Sequence, residues 1–316
     1  MGRAGPLDAA PHGGAAVTAL DDAVARAARG GAPDTIALMG ILMEAATEAA
    51  ARSALAGAQT ACVAAADQPG VANLERIAAL WAATPGAWAA VRGTVAAIAH
   101  RPPGDGPEAV LAYWADSFDR LVAAQPEASV ALYSLGSPDL LAAATDEIVA
   151  QMADWGLVAP AAAVLDLGCG IGRFVRALAP CVAYVTGLDL SPGMVAEARR
   201  RCAGLANVEL RQSAGRDLAG IADASLDLVL AADVFPYLVE AGGDVAAIHV
   251  AEAARVLRPS GALLILNYSY RGDAGADRSE VADLAAAAGF TVERAGTRDF
   301  AAWDGAAFLL RGRPAA

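Results

Sequence analysis

The densest chemistry in the chain lies in Val164-Leu-Asp166-Leu-Gly168-Cys-Gly170-Ile-Gly172-Arg173. A short apolar run ends in an acid, passes through three alternating glycines and enters a helical segment. Glycines there let backbone approach a ligand where Cβ atoms would block it. Asp189 ends the next apolar run, 23 residues after Asp166, where an acidic side chain can accept both hydroxyls of a ribose. A dinucleotide fingerprint, GxGxxG, would need glycine at position 173, which is Arg. The spacing suits an adenosine ligand carrying a cationic amino-acid moiety in place of a pyrophosphate.

In open α/β sheets ligands bind beyond the carboxyl ends of the strands. Two segments follow later apolar runs in that position, Asp233-Val-Phe-Pro-Tyr-Leu238 and Asn267-Tyr-Ser-Tyr-Arg271. They make Asp233, Phe235, Tyr237, Tyr268, Tyr270 and Arg271 candidates for a substrate pocket, with Asp233 and Tyr237 as candidate catalytic groups. Arg271 suits an anionic substrate, or else is a solvated charge paired with Asp273. His249 is a further candidate base, although the stripe Val245, Ile248, Val256 beside it reads equally as the face of a packed helix. Cys62, Cys169, Cys181 and Cys202 form no metal-like spacing with His12, His100 and His249, so no metal is expected. They read as small hydrophobes of a reducing, cytoplasmic compartment, and Cys169 has no redox role.

After Pro160, short apolar runs at 164–167, 184–188, 208–210, 226–230 and 262–266 alternate with helical segments. This is an α/β pattern with a mainly parallel, two-sided sheet. Ser191-Pro192 supplies an N-cap and first-turn proline for one of its helices, and last strands are expected at 291–294 and 307–310. Residues 20–99 are helical almost throughout, with breaks at Gly30-Gly31, Gln68-Pro-Gly70 and Thr84-Pro-Gly86 that imply three or four helices. No polar cluster there looks catalytic, which suits a helical cap or a dimerisation module joining two copies. His100-Arg-Pro-Pro-Gly-Asp-Gly-Pro107 reads as a linker, and further helices are expected at 108–124 and 138–155. The expected units are a flexible tail (1–18), an all-α N-terminal module (19–103), a helical connector and lid (104–157) and the α/β domain (158–316).

Composition narrows the partners. The 316 residues are 56% hydrophobic and carry a net charge of −12, a poor footprint for neutralising phosphates, so nucleic acid is disfavoured. Mean hydropathy is +0.41, yet the longest stretch free of charged residues is the 15 residues Ile77 to Val91, short of the roughly 20 needed to span a bilayer. No membrane association and no secretory signal are expected.

Over about residues 138–314 the chain resembles the class I S-adenosylmethionine-dependent methyltransferases. Asp166 with Gly168, Gly170 and Gly172 matches the motif that cradles the methionine end of the cofactor. Asp189-Leu-Ser-Pro-Gly-Met194 matches the next, which places Asp189 on the ribose and Leu190 against adenine. Ser225-Leu-Asp-Leu-Val-Leu-Ala231 resembles the family's fourth strand, after which Ala232 and Asp233 would border the cofactor, and Ala254-Arg-Val-Leu-Arg-Pro-Ser-Gly261 resembles the approach to its fifth. The family's acid after the third strand is absent from Gln212-Ser-Ala-Gly-Arg-Asp-Leu218, which leaves adenine recognition to Gly215 backbone or to Asp217 in a shifted register. Relatives often fold an aromatic over the cofactor at the position of Tyr133, and Trp303-Asp304 is a candidate far wall. The resemblance implies a Rossmann-like seven-stranded sheet, S-adenosyl-L-methionine as cofactor and a small-molecule acceptor of unresolved atom type. No Asn/Asp-Pro-Pro-Tyr stands at 232–237, against amino-group methylation of bases or glutamine. The alternatives are a non-catalytic cofactor-binding regulator and, disfavoured by the acidic balance, a nucleic-acid methyltransferase.

Overall fold

The computed structural model describes residues 18–98 and 106–314; the expected tail (1–17) and most of the expected linker lie outside the described residues. Five helices open the described chain: α1 (Ala19–Arg29), α2 (Asp34–Glu44), α3 (Glu48–Ala64), α4 (Gln68–Ala83) and α5 (Ala87–Ala97). Two boundaries differ from the sequence reading. α2 and α3 are separated at Thr47, whose hydroxyl accepts the Ala50 N–H at 3.1 Å, and one threonine within an alanine-rich run is a faint signal. The break expected at Gln68-Pro-Gly70 falls earlier: Ala66 takes φ 56° and Asp67 caps α4 by accepting the Gly70 N–H at 3.1 Å. Pro69 therefore sits in the first helical turn, where its missing N–H has no partner to lose. Leu38, Ile41, Leu74, Ile77 and Trp81 are buried together in this module, and Leu135 from the following segment joins them.

That segment holds α6 (Pro107–Ala124), the short α7 (Pro126–Val130), a single 3-10 turn at Leu132–Ser134 and α8 (Pro138–Asp154). The α/β unit then runs β1 (Ala163–Leu167), α9 (Arg173–Leu178), β2 (Tyr184–Asp189), α10 (Pro192–Arg201), β3 (Val208–Gln212), β4 (Leu226–Ala232), α11 (Phe235–Ala241), α12 (Val245–Val256), β5 (Leu257–Leu266), α13 (Ala274–Ala288), β6 (Thr291–Thr297) and β7 (Ala307–Arg311). The seven strands form one sheet in the order β3-β2-β1-β4-β5-β7-β6. The first five are parallel, and β7 runs antiparallel to both β5 and β6. Side chains alternate between two cores: Leu165, Val229 and Ile265 pack with α11 and α12 on one face, Val164, Leu228 and Leu264 with α8 and α9 on the other. This two-sided burial is why the strands read as continuous apolar runs. Asp227 accepts the Ala163 N–H at 2.8 Å and a guanidinium N–H of Arg258, which ties β4 to both its neighbours.

Three residues expected at the site belong instead to this framework. His249 is buried in α12 with Nδ1 2.8 Å from the Val245 carbonyl, so it is a core histidine and not a base in the site. Phe235 and Tyr268 are likewise buried, with rings 5.8 Å apart in the core between the sheet and α12. Phe235 opens α11 and packs back onto the sheet, and after the left-handed turn at Asn267 that ends β5 Tyr268 is buried while Tyr270 is exposed along the cavity.

These contacts set two expectations for stability. Ile41→Ala removes a fully buried side chain and is expected to lower the unfolding free energy by about 2–5 kcal/mol in a urea titration. Burial holds the His249 imidazole below its ordinary value of 6.5, and its Nε2 has no partner among the described residues. The unfolded chain then binds the extra proton more readily, so this residue's contribution is lost as pH falls through 6.5. Urea titrations of the wild type and His249→Leu at pH 7.5 and 5.5 should show the variant gaining on the wild type at the lower pH; a constant difference contradicts this assignment.

Candidate functional site

The glycine loop is held in place before any ligand is considered. The Cys169 N–H donates to the Leu188 carbonyl at 2.9 Å, and the Gly170 N–H donates to the Asp189 carboxylate at 2.9 Å. Both Gly168 (φ 69°) and Gly170 (φ 52°) are left-handed, and a Cβ would stand 2.7 Å from Val234 Cγ2 at the first and 2.5 Å from Val130 Cγ1 at the second. Gly172 serves packing: a Cβ there would meet Ala198 and Cys202 at 3.1 Å, and the residue is outside the cavity lining. Asp166 is buried and also outside the lining, and burial pushes its carboxyl up to about 7 against the pull of Arg173.

Beyond the loop lies a cavity of about 440 Å³, within the range of small-molecule sites. Asp189, Leu190, Gly168 and Gly170 line one end, and Ala232, Asp233, Tyr237 and Tyr270 line the other. The second oxygen of Asp189 accepts the Ser191 N–H at 2.9 Å. A carboxylate offers about four acceptor sites, so after two backbone bonds Asp189 retains capacity for a pair of ligand hydroxyls. Burial pushes its carboxyl up to about 6, with the backbone bonds to Ser191 and Gly170 opposing, and it remains ionised at neutral pH. Arg173 also lines the cavity, its guanidinium donating to the Tyr133 hydroxyl at 2.9 Å. In the same lining as a carboxylate able to accept a diol, a guanidinium suits the carboxylate of an amino-acid moiety. The donor set therefore fits an adenosine ligand with an amino-acid tail.

At the other end Asp233 and Asn267 occupy the carboxyl ends of neighbouring strands, both left-handed at φ 56° and 64°. Asn267 Nδ2 donates to Asp233 Oδ1 at 2.7 Å, and the Tyr270 hydroxyl donates to the same oxygen at 3.0 Å. Asn267 is itself held, its Oδ1 accepting the Ala306 N–H at 2.9 Å. Burial raises the Asp233 carboxyl above the ordinary carboxylate range, with Asn267 opposing. Such a fixed carboxylate of increased basicity can take a proton. Burial and the Asp233 charge push the Tyr237 hydroxyl up, so it stays a neutral donor.

Tyr133, Trp303 and Asp304 line the cavity as well. Gly215 and Asp217 do not: Leu111 of α6 stands 3.4 Å from where a Gly215 Cβ would lie, and Asp217 accepts the Ala219 N–H at 2.9 Å in its own exposed loop. Arg271 is also outside the lining, bound to Asp277 at 2.7 Å and Glu280 at 2.6 Å. The expected partner Asp273 caps α13 instead. Sequence reasoning missed the roof. Trp114 and Phe118 of α6 pack on Tyr237 with ring centroids 4.5 and 5.2 Å away, and Ile36, Met39 and Met43 of α2 also line the cavity. Trp114 and Phe118 stand four residues apart, but that spacing signals any buried helix face. Asp119 fastens α6 over the site by accepting from the Ser191 hydroxyl and from the Gly193 N–H. Among the described residues no group of three or more His, Cys, Asp or Glu could hold a metal ion.

Comparison with known proteins agrees with this geometry. Residues 165–265 match a family described as a methyltransferase domain. A demethylmenaquinone methyltransferase of Tropheryma whipplei is 36% identical over 107 residues, which cover 34% of this chain and 42% of that protein. A 2-methyl-6-phytyl-1,4-hydroquinone methyltransferase of Synechocystis is 31% identical over 134 residues, 40% of this chain and 39% of that protein. The matched regions thus span less than half of these curated relatives. The solved Haemonchus contortus phosphoethanolamine N-methyltransferase 1 superposes with a TM-score of 0.52 at 16% identity, over 69% of this chain and 52% of that one, a likeness of fold alone. Strand order, glycine loop and sequence match together identify a methyltransferase domain of the class I S-adenosylmethionine-dependent kind around residues 165–265.

Proposed function

We propose that this protein binds S-adenosyl-L-methionine in the cavity and methylates a small molecule, with Asp233 receiving the acceptor's proton. The observation that carries the proposal is one continuous cavity with a diol-accepting carboxylate, Asp189, at one end and a raised, oriented carboxylate, Asp233, at the other. When bound, the cofactor supplies a methyl group on a sulfonium sulfur, and the electron pair of the broken carbon–sulfur bond stays on sulfur. The protein's share is positioning and exclusion of water. Gly168 and Gly170 bring backbone to the ligand, Arg173 fits its carboxylate, and Leu190 with the α6 roof covers its ring. Asn267 and Tyr270 bond to Asp233 Oδ1 and leave Oδ2 as the oxygen that neither bond uses.

Further support bears on partners and compartment. The four cysteines are free thiols, which fits a reducing compartment such as the cytoplasm. Among the described residues no helix is long and apolar enough to cross a membrane. Helices α2 and α6 roof part of the cavity, which suits a molecule that enters whole, in preference to a base within a polymer.

Calorimetry with S-adenosylhomocysteine tests the binding half. The wild type should bind it, and affinity should fall as pH drops below about 6, where Asp189 takes up its proton, by up to about tenfold per pH unit. Asp189→Asn should bind weakly with that pH dependence gone. The catalytic half is tested by incubating the protein and a metabolite extract with methyl-labelled cofactor and profiling for a labelled product. With the acceptor so found, Asp233→Asn should lower kcat by about 10²–10⁴ while affinity for S-adenosylhomocysteine is retained. Binding without a labelled product would establish the regulator reading instead.

A further inference from the structure

The acceptor end of the cavity has a composition that restricts what enters it. Ile36, Met39 and Met43 come from α2, Ile98 from the end of the N-terminal module, and Trp114 and Phe118 from α6. Methionine and aromatic side chains adapt to flat or flexible apolar bodies. The charged lining residues are Asp189, Asp233, Asp304 and Arg173. Arg173 holds Tyr133 and its charge already offsets the buried carboxyls of Asp166 and Asp233, while Arg271 is committed to Asp277 and Glu280. A carboxylate or phosphate on the acceptor would therefore face Asp233 and Asp304 and compete with the protein's own carboxylates for a single guanidinium, a costly burial.

Asp233 sets a second limit. A carboxylate base is better matched to a phenol or enol, whose ordinary pKa is near 10, than to the far less acidic aliphatic alcohols. Its two donors, Asn267 and Tyr270, both sit on Oδ1, which keeps the group aimed for one hydroxyl. Met43 is 39% exposed, so the apolar wall reaches the cavity mouth and leaves room for a body longer than a single ring.

We infer that the acceptor is a phenolic or enolic molecule without negative charge and with an extended apolar body, and that α2, through Met39 and Met43, selects that body. The N-terminal module is then a specificity element of the active site. The inference rests on the methyl-transfer reading above for its choice of acceptor atom.

The test titrates the full-length protein, with and without S-adenosylhomocysteine, by intrinsic tryptophan fluorescence. The probes are 4-alkylphenols from ethyl to heptyl, 4-hydroxyphenylacetate as the anionic counterpart and tyramine as the cationic one. Alkylphenol affinity should rise by about fourfold per methylene, and 4-ethylphenol and tyramine should each bind at least about tenfold tighter than 4-hydroxyphenylacetate. Met39→Trp, which fills the compartment, should stop the gain beyond short chains, and Met43→Ala at its half-exposed site should shorten it with little demand on folding. Affinity for 4-hydroxyphenylacetate equal to that for the neutral or cationic probe, or an unaltered chain-length dependence in both variants, overturns the inference. Intact alkylphenol selectivity in a protein that fails to bind S-adenosylhomocysteine overturns the methyl-transfer reading and leaves the apolar compartment standing.

Discussion

The hydrogen bond from the Gly170 N–H to the Asp189 carboxylate is the constraint on which the site depends. It joins the loop after β1 to the end of β2, and it forms only because the chain turns left-handed at Gly168 and again at Gly170. With a Cβ at either position the loop would strike Val234 or Val130. Those two valines are not incidental. Val234 follows β4 and Val130 ends α7, so the loop is wedged between the substrate-side strand and the connector that carries Tyr133. The same carboxylate accepts from Ser191, whose hydroxyl reaches Asp119 of α6. One acid thereby couples the floor of the cavity to its roof, and a change in any of these elements reaches the others through it.

The roof gives the N-terminal helices a role that their composition concealed. Leu135 is buried in their core while Tyr133, two residues earlier, lines the cavity. The turn at Leu132–Ser134 separates those two environments, and left-handed Leu135 and Gly136 close it. Met39 takes part in packing both the helical module and the sheet core. The two units share residues at the cavity itself, which is a stronger coupling than a linker alone could provide.

What was legible in the sequence follows from how local each signal is. The glycine loop, Asp189 and the strand ends were readable because their chemistry is fixed by short spacings and by burial on both sheet faces. Asp233 and Tyr270 were found by their position after strands. Phe235, Tyr268 and His249 were misplaced for the same reason that Asp233 was found: position after a strand, or in a nearby helix, does not tell which side of an element a side chain takes. Arg271 was paired with its near neighbour Asp273, but that carboxylate spends its acceptors on backbone N–H groups that open α13, and one helical turn further on Asp277 and Glu280 are in reach. Met39, Trp114 and Phe118 were invisible because their role depends on docking between segments more than 100 residues apart, and helical periodicity alone cannot distinguish a core face from a cavity wall.

The electrostatics of the site set its relation to stability. Asp166 and Asp189 titrate near 7 and 6, and Asp233 is raised as well, all principally through burial. A carboxyl whose pKa in the folded protein lies above its unfolded value destabilises the fold at pH above that range, by about 1.4 kcal/mol for each pH unit that separates the two values. Arg173 offsets part of this at both Asp166 and Asp233. Among the cavity-lining residues it is the single cation against three carboxylates. The fold therefore carries an excess of buried negative charge that its own residues do not neutralise. A cationic ligand does so on binding, which lowers those pKa values and returns stability to the whole assembly of loop, connector and roof. The same imbalance favours a positively charged cofactor and opposes a negatively charged acceptor, so one physical feature supports both selections.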